Sequence, residues 1–463
     1  MMTLNEAAAL LAARGARALG EARFTAVGVD SRAIVPGQLF VALRGERFDG
    51  HAFVASALAA GAAAAMVDAH WAATQPRNEA VWLIVDDTRL ALGALAAGWR
   101  ARFDIPLIGV TGSNGKTTVK EMSAAILRVW AGRDDAILAT GGNFNNDIGL
   151  PLTLLGLRAS HKAAVIEMGM NHPGEIAYLT GLARPTVALV NNAQRAHLEG
   201  LGTLAGVARE KGHIYDGLGD AGVAIINADD PHADEWRASN VQRRVLSFGL
   251  RRPADVRGRY TLHCLKAALR IETPWGEADC ELQAPGEHNV LNALAAAAAC
   301  LGAGVPLAAV AAGLTGYGGV HGRLQRRKGP HGALVLDDSY NANPDSVRAA
   351  IDVLALMPGQ TYLVLGDMGE VGETSAQAHD EVGGYAKSKG VGALYTLGAM
   401  SAVAVRNFGE GGRHFGSVDA LVTALTPRLD ADATVLVKGS RFMRMERVAD
   451  ALADAADRPE GSD

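Results

Sequence analysis

Apolar residues along the chain gather into short runs separated by stretches with helical spacing. In the first hundred residues Val27-Gly-Val-Asp, Leu39-Phe-Val-Ala-Leu and Val81-Trp-Leu-Ile-Val read as strands and Ala52 to Ala65 as a helix, predicting a mixed α/β unit. From Ile105 the pattern changes. Pro106-Leu-Ile-Gly-Val leads into Thr111-Gly-Ser-Asn-Gly-Lys-Thr-Thr, after which apolar positions recur at Val119, Met122, Ile126 and Val129, giving strand, glycine loop and helix. The later runs Ala163-Ala-Val-Ile, Thr186-Val-Ala-Leu-Val and Ala221-Gly-Val-Ala-Ile-Ile alternate with helical stretches, which predicts a mainly parallel sheet covered by helices. Glycines at Gly316-Tyr-Gly-Gly mark a linker. Beyond it Ala333-Leu-Val-Leu, Thr361-Tyr-Leu-Val-Leu, Gly392-Ala-Leu-Tyr-Thr-Leu and Ala433-Thr-Val-Leu-Val predict a second open α/β unit, ending in a tail, Arg458 to Asp463, that reads as disordered. At 463 residues the chain exceeds one core, and length alone suggests about three domains. The expected division of this α/β chain is 1–102, 103–315 and 316–463.

Composition narrows the classes. Apolar residues make up 49% and charged residues 20%, as in ordinary globular proteins. A net charge of −5 gives no support for nucleic-acid binding, so anionic ligands must be met by local groups. Cys264, Cys280 and Cys300 have no CxxC spacing and suit a reducing compartment. The first twenty residues lack the basic-then-apolar order of a signal peptide, so a cytoplasmic protein is expected. Asn289 to Val320 carries no charge, but it is mostly Ala and Gly and is broken by Pro306. It reads as two short buried helices rather than a membrane span.

The glycine loop carries the strongest chemical signal. Successive amides of Gly112, Ser113, Asn114 and Gly115, with the helix N-terminus at Lys116, Thr117 and Thr118, form a cradle for phosphate. Lys116 would reach the terminal phosphates and the Thr117 hydroxyl would ligate Mg²⁺. One position departs from the usual pattern: Val110 stands where the first glycine is common, bracketed by Gly109 and Gly112. A phosphate cradle alone does not choose between kinase, GTPase, motor and ligase. Glu167, just after a strand, sits where a metal ligand would sit, although a surface Glu fits the position too. His197 alone reads more readily as structural, and Lys211 as a solvated lysine. Asn143, Asn145 and Asn146 are either turn residues or amides for polar substrate groups.

Beyond these readings, several segments resemble the Mur ligase family. They are the glycine loop, Asn143-Phe-Asn-Asn-Asp-Ile-Gly-Leu-Pro, Glu167-Met-Gly-Met-Asn-His-Pro-Gly-Glu-Ile, Ala196-His-Leu-Glu-Gly-Leu-Gly, Gly286-Glu-His-Asn-Val-Leu-Asn, His321-Gly-Arg-Leu, Asp337-Asp-Ser-Tyr-Asn-Ala-Asn-Pro and Lys438-Gly-Ser-Arg. The likeness spans almost the whole chain in the right order. Within the family, Ser339-Tyr-Asn-Ala-Asn-Pro and the Glu167 segment resemble members that add D-alanyl-D-alanine to UDP-N-acetylmuramoyl-tripeptide. A relative adding diaminopimelate or lysine would carry a His-Thr-Pro-type sequence at Asn341-Ala-Asn-Pro.

The resemblance implies a small N-terminal domain for the UDP-sugar peptide, a P-loop domain for ATP, and a Rossmann-like C-terminal domain that binds the dipeptide and closes over ATP. It implies a monomeric ATP- and Mg²⁺-dependent ligase that works through an acyl phosphate. By similarity Thr117 and Glu167 would hold one Mg²⁺, His197 a second, and Lys211 would be carbamylated. Where related sequences commonly read Lys-Gly-Glu-Ile, this chain reads Lys211-Gly-His-Ile, with His213 replacing a carboxylate. Asn289 and Asn292, three apart on a helix, would meet the adenine edge. Arg323 and Asp338 would close over the nucleotide, Arg323 steadying phosphate charge and Asp338 facing ribose or an arginine. Ser31 and Arg32 are candidates for nucleotide-sugar contacts, and Tyr340, Asn341 and Asn343 for the incoming dipeptide. The alternatives are another Mur-type or folylpolyglutamate-type ligase, or a P-loop switch NTPase, which leaves Lys211, His197 and Asp338 unexplained.

Overall fold

The computed structural model describes residues 1–76 and 81–454; the tail read as disordered lies outside the described residues. Three main sheets follow one another along the chain. The first has five strands, ordered Arg17–Leu19, Trp82–Val85, Ala64–Asp68, Gln38–Val41 and Ala26–Gly28, antiparallel only at the first edge. The second has nine. From Val256–Leu262 it runs in parallel through Arg244–Gly249, Val223–Asn227, Val187–Val190, Leu107–Thr111 and Ala163–Glu167 to Ile137–Ala139, and the antiparallel pair Ala267–Thr273 and Gly276–Leu282 extends the other edge. The third has six strands, ordered Gln325–Lys328, Leu334–Asp338, Ala433–Lys438, Gln360–Gly366, Ala393–Leu397 and Gly412–Phe415, and is antiparallel only at its first edge. The mixed first unit and the two open α/β units therefore match the expected fold class.

Local physics accounts for most elements. The central strands of the second sheet, Leu107–Thr111, Ala163–Glu167, Val187–Val190 and Val223–Asn227, are buried on both faces and read as mainly apolar runs, as parallel strands covered by helices do. On helix Lys116–Ala131 the predicted stripe is buried at Val119, Met122 and Ile126. Val129, near the helix end, is 47% exposed, and Leu127 and Ala131 fill the core in its place. The uncharged stretch forms two helices, Glu287–Gly302 and Leu307–Thr315. Among the described residues no helix is long and apolar enough to cross a membrane. One expectation fails. The helix read from Ala52 to Ala65 is a short helix, Val54–Ala59, stopped near Gly61 at φ +102°, and the alanines beyond it enter the strand Ala64–Asp68. Alanine, small and apolar, fits both environments, so its run carries no period.

Two kinds of seam join the units. The first sheet and one face of the second share a continuous apolar core, in which Leu83, Leu92 and Trp99 pack with Leu107, Leu154 and Ile166. The third sheet has its own cores on its two faces, with Leu336, Ile351 and Leu363 on one side and Val335, Val364 and Val437 on the other. Where it meets the second sheet, the described contacts are largely polar. Arg195 is held by Asp345 at 2.7 Å and by Glu381 at 2.8 Å, and Arg348 also reaches Glu381 at 2.7 Å.

Close helix packing gives a stability prediction. A Cβ on Gly313 would strike the Ile126 backbone, 2.7 Å from its nitrogen, where the helices Leu307–Thr315 and Lys116–Ala131 cross. Gly313→Ala is expected to destabilise the protein by about 1–3 kcal/mol. The exposed helical Gly181 has open space around it, and Gly181→Ala is expected to stabilise by up to about 1 kcal/mol. Thermal unfolding midpoints that move the same way for both variants would contradict this packing.

Candidate active site

Adjacent parallel strands bring three chain segments to one sheet edge. Leu107–Thr111 lies between Ala163–Glu167 and Val187–Val190, with Val110 beside Glu167 and Thr111 beside Val190. The chain reverses direction across the sheet at this point, and ligands of open α/β sheets bind in such a crevice. The glycine loop turns here into helix Lys116–Ala131. Gly115 has φ +79°, and a Cβ on it would strike Asn292 and stand 2.6 Å from Asn191 Nδ2. Only glycine combines that dihedral with that close approach. The loop after Val190 braces the cradle: Ser113 N donates to Asn192 O at 3.0 Å, Asn114 N to Asn192 Oδ1 at 2.9 Å, and Gln194 N to Ser113 Oγ at 2.9 Å. Lys116 Nζ donates to Gly112 O at 2.6 Å, so the side chain arches over the loop.

Two cavities meet at this loop. The first, of about 480 Å³, is lined by Asn114, Gly115, Thr118, Asn289, Asn292, Arg323 and Asp338. Its asparagines are linked in series: Asn191 Nδ2 donates to Asn292 Oδ1 at 2.8 Å, Asn292 Nδ2 to Asn289 Oδ1 at 3.2 Å, and Asn289 Nδ2 to Pro285 O at 2.8 Å. Asp338 accepts from Lys438 at 2.6 Å and from Leu324 N at 3.2 Å, so its carboxylate meets a lysine rather than an arginine. That contact also gives Lys438, matched by motif alone, a place in the site; burial pushes its ammonium below the usual pKa, against the pull of Asp338.

The second cavity, of about 470 Å³, is lined by Lys116, Thr117, Glu167, His197, Arg323 and Tyr340, with Asn143, Asn145, Asn146, Asn341, Asn343 and Glu370 also on its wall. Glu167 is buried. Its Oε1 accepts from Asn145 Nδ2 at 2.7 Å, while Oε2 has no hydrogen-bond partner. Asn146 Oδ1 accepts from Gly149 N at 2.9 Å, at the start of helix Gly149–Leu155. His197 sits in a left-handed conformation at φ +58°, and its Nδ1 stands 2.7 Å from Glu370 Oε2 without hydrogen-bond alignment. Burial lowers the His197 pKa; Glu370 opposes that shift, and the charges of Lys116 and Lys211 add to it. Lys116 is lowered by burial, against the pull of Glu167.

Lys211 lines neither cavity. It is fully buried on helix Leu204–Gly212, and its ammonium makes no hydrogen bond among the described residues. Burial, reinforced by Lys116, drives its pKa far below the ordinary lysine value. His213 pairs with Asp216 at 2.7 Å, half-exposed and outside both cavities, so the carboxylate it replaces would not stand in the cleft.

The third unit presents Tyr340, with the Arg323 guanidinium 4.2 Å from its ring centre. Asn341 Oδ1 accepts from Ala342 N at 2.9 Å. Asn343 caps helix Pro344–Leu354 and exchanges amide hydrogen bonds with Asn114 at 2.7 and 3.2 Å, tying the glycine loop to the third unit. Ser31 and Arg32 stand apart from both cavities. Arg32 is largely exposed and grips Asp30, holding that carboxyl at about 2. Sequence reasoning gave no role to Asn191, Asn192, Gln194, Arg195 or Glu370, whose importance lies in contacts distant along the chain.

Comparison with known proteins converges on one family. Residues 23–100 match the model of the Mur ligase family catalytic domain, 110–300 the Mur ligase middle domain and 322–441 the Mur ligase glutamate ligase domain. The chain is 45% identical over 434 residues to UDP-N-acetylmuramoyl-tripeptide–D-alanyl-D-alanine ligase of Escherichia coli, covering 92% of this chain and 93% of that one. A crystal structure of MurF from Acinetobacter baumannii is similar with a TM-score of 0.87 at 36% identity, over 96% and 97% of the two chains. MurF ligase from Thermotoga maritima, solved in complex with ADP, gives a TM-score of 0.78 at 26% identity over 92% and 96%. Identities of this size, sustained nearly end to end, mean that the chain belongs to the Mur ligase family.

Proposed function

We propose that the chain is an ATP-dependent ligase that joins D-alanyl-D-alanine to UDP-N-acetylmuramoyl-tripeptide in the cytoplasm, producing the pentapeptide precursor of peptidoglycan, ADP and phosphate. The observation that carries this reading is the junction of two cavities at one glycine loop, since Asn114, Gly115 and Arg323 line both. A nucleotide lying across the loop has its base on the side of Asn289 and Asn292 and its terminal phosphate on the side of Lys116. Residues 1–102 would bind the nucleotide-sugar peptide, with Ser31 and Arg32 as its contacts, 103–315 would bind ATP, and 316–463 the dipeptide. Three cysteines without disulfide partners support a reducing compartment.

A carboxylate is a poor electrophile because oxide is a poor leaving group. Transfer of the ATP γ-phosphoryl group to the peptide carboxylate gives an acyl phosphate and ADP. The dipeptide amine then attacks the acyl carbon, the carbon–oxygen bond to phosphate breaks, and nitrogen loses a proton. Lys116 would spread the charge of the transferred group, Arg323 would steady it from the third unit, and the loop amides would orient it.

The donor set fits magnesium. Glu167 has a buried oxygen without a partner, and Thr117 opens the helix beside it. Among the described residues no cluster of three carboxylate, imidazole or thiolate groups is present; magnesium commonly takes one or two carboxylates and completes its shell with phosphate and water. When bound, the ion neutralises repulsion between the two anions being joined. A carbamate on Lys211 would turn a buried cation on helix Leu204–Gly212 into an anion.

Phosphate release is expected only when ATP, UDP-tripeptide and D-alanyl-D-alanine are all present; hydrolysis indifferent to both acceptors would reject the reading. Lys211→Ala is expected to nearly abolish turnover, with partial recovery on adding short-chain carboxylic acids. Full activity in that variant would remove the carbamate.

A further inference from the structure

Four carboxylates line the second cavity, and three have evident work. Asp147 is gripped by Arg89. Glu175 accepts from the backbone nitrogens of Asn171 and His172 at 2.6 and 3.1 Å. Glu167 takes the amide of Asn145 and lies beside the glycine loop. The fourth, Glu370, is carried by the third unit and faces the loop from across the cavity.

Its backbone is held in an unfavourable conformation. Glu370 has φ +60°, a left-handed geometry that costs free energy in any residue with a side chain. Neighbouring contacts enforce it. Met368 N donates to the buried His379 Nε2 at 2.9 Å, and Gly369 N donates to Ser440 Oγ at 2.7 Å. Ser440 Oγ in turn donates to Ala342 O at 2.9 Å, which links this loop to the Tyr340–Asn343 turn. The result is a carboxylate aimed at His197, whose backbone is also left-handed.

We propose that Glu370 binds the amino terminus of the incoming dipeptide and positions it against the acyl carbon. This rests on the ligase reading above and names the residue that recognises the acceptor's charged end. An acceptor entering from the third unit arrives as an ammonium ion among Lys116, Arg323 and Arg441, all of which repel it. Of the carboxylates on that wall, Glu370 alone comes from the third unit, and a carboxylate accepts ammonium hydrogen bonds while offsetting the repulsion. Its present partner, His197, belongs to the opposite wall, so the carboxylate already spans the gap the acceptor has to enter.

The test is Glu370→Gln in the full-length protein, with phosphate release measured as D-alanyl-D-alanine is varied at saturating ATP and UDP-tripeptide. The expected result is a dipeptide KM raised about tenfold or more, with the KM of ATP and of UDP-tripeptide held within about twofold. Hydroxamate formation with hydroxylamine should persist, because acyl phosphate still forms. An unchanged dipeptide KM, or an ATP KM that rises in parallel, overturns the proposal and leaves Glu370 a clasp between units. Should Glu370→Gln not fold, the unaltered enzyme and Glu370→Asp serve instead. D-lactoyl-D-alanine, with hydroxyl in place of ammonium, should inhibit the unaltered enzyme weakly, and Glu370→Asp should raise the dipeptide KM while leaving that inhibition unchanged. Equal affinity of the unaltered enzyme for the dipeptide and for D-lactoyl-D-alanine overturns the proposal. An unaltered enzyme that releases no phosphate with the dipeptide contradicts the ligase reading itself.

Discussion

The site depends on one close approach. At Gly115 the chain turns from sheet into helix in a left-handed conformation, with the amides of Asn191 and Asn292 pressed against the place a side chain would occupy. That absence lets the helix N-terminus and its free N–H groups face the crevice. It also lets the asparagine series from Asn191 through Asn292 to Asn289 reach the back of the loop. Any larger residue would push the cradle away from the segment that braces it. The phosphate-facing geometry is thus a property of the main chain, and the side chains around it arrange charge.

The surrounding groups come from every part of the sequence. Glu167 ends one strand and His197 follows the loop after Val187–Val190, the two strands that flank Leu107–Thr111; Lys211 comes on helix Leu204–Gly212, and Arg323, Asp338 and Glu370 from the third unit. Several are buried charges whose cost is met by specific partners, such as Lys438 beside Asp338. Others lack hydrogen-bond partners: Glu167 Oε2 and His197 Nδ1. A folded protein rarely leaves buried polar atoms unsatisfied without a use for them, and these lie on the side of the loop where phosphate chemistry is proposed.

Legibility in the sequence followed the range of the interactions. The glycine loop could be read because strand, turn and helix are consecutive, and the mainly parallel sheet because strands buried on both faces are unbroken apolar runs. Alanine at Ala64 and Ala65 misled, since only the flanking strands decide that these residues are sheet. Asn143, Asn145 and Asn146 read alike in sequence but diverge in structure: Asn145 holds Glu167, whereas Asn146 accepts from the backbone of Gly149. Asp338 was expected near ribose or an arginine, yet Lys438, a hundred residues later in sequence, meets it. Arg195, Asp345 and Glu381 gave no signal at all, because an ion pair between units has no spacing to betray it.

The two seams differ in what water does when they part. Separating the first unit from the second exposes apolar core, whereas separating the third exposes ion pairs and amides that water can solvate. Dissolved salt therefore acts on them in opposite senses: it screens the Arg195 cluster and loosens the third unit, while strongly hydrated anions tighten the apolar junction. The first two units therefore meet across a junction that such anions tighten, and the third unit meets the second across one that ionic strength weakens.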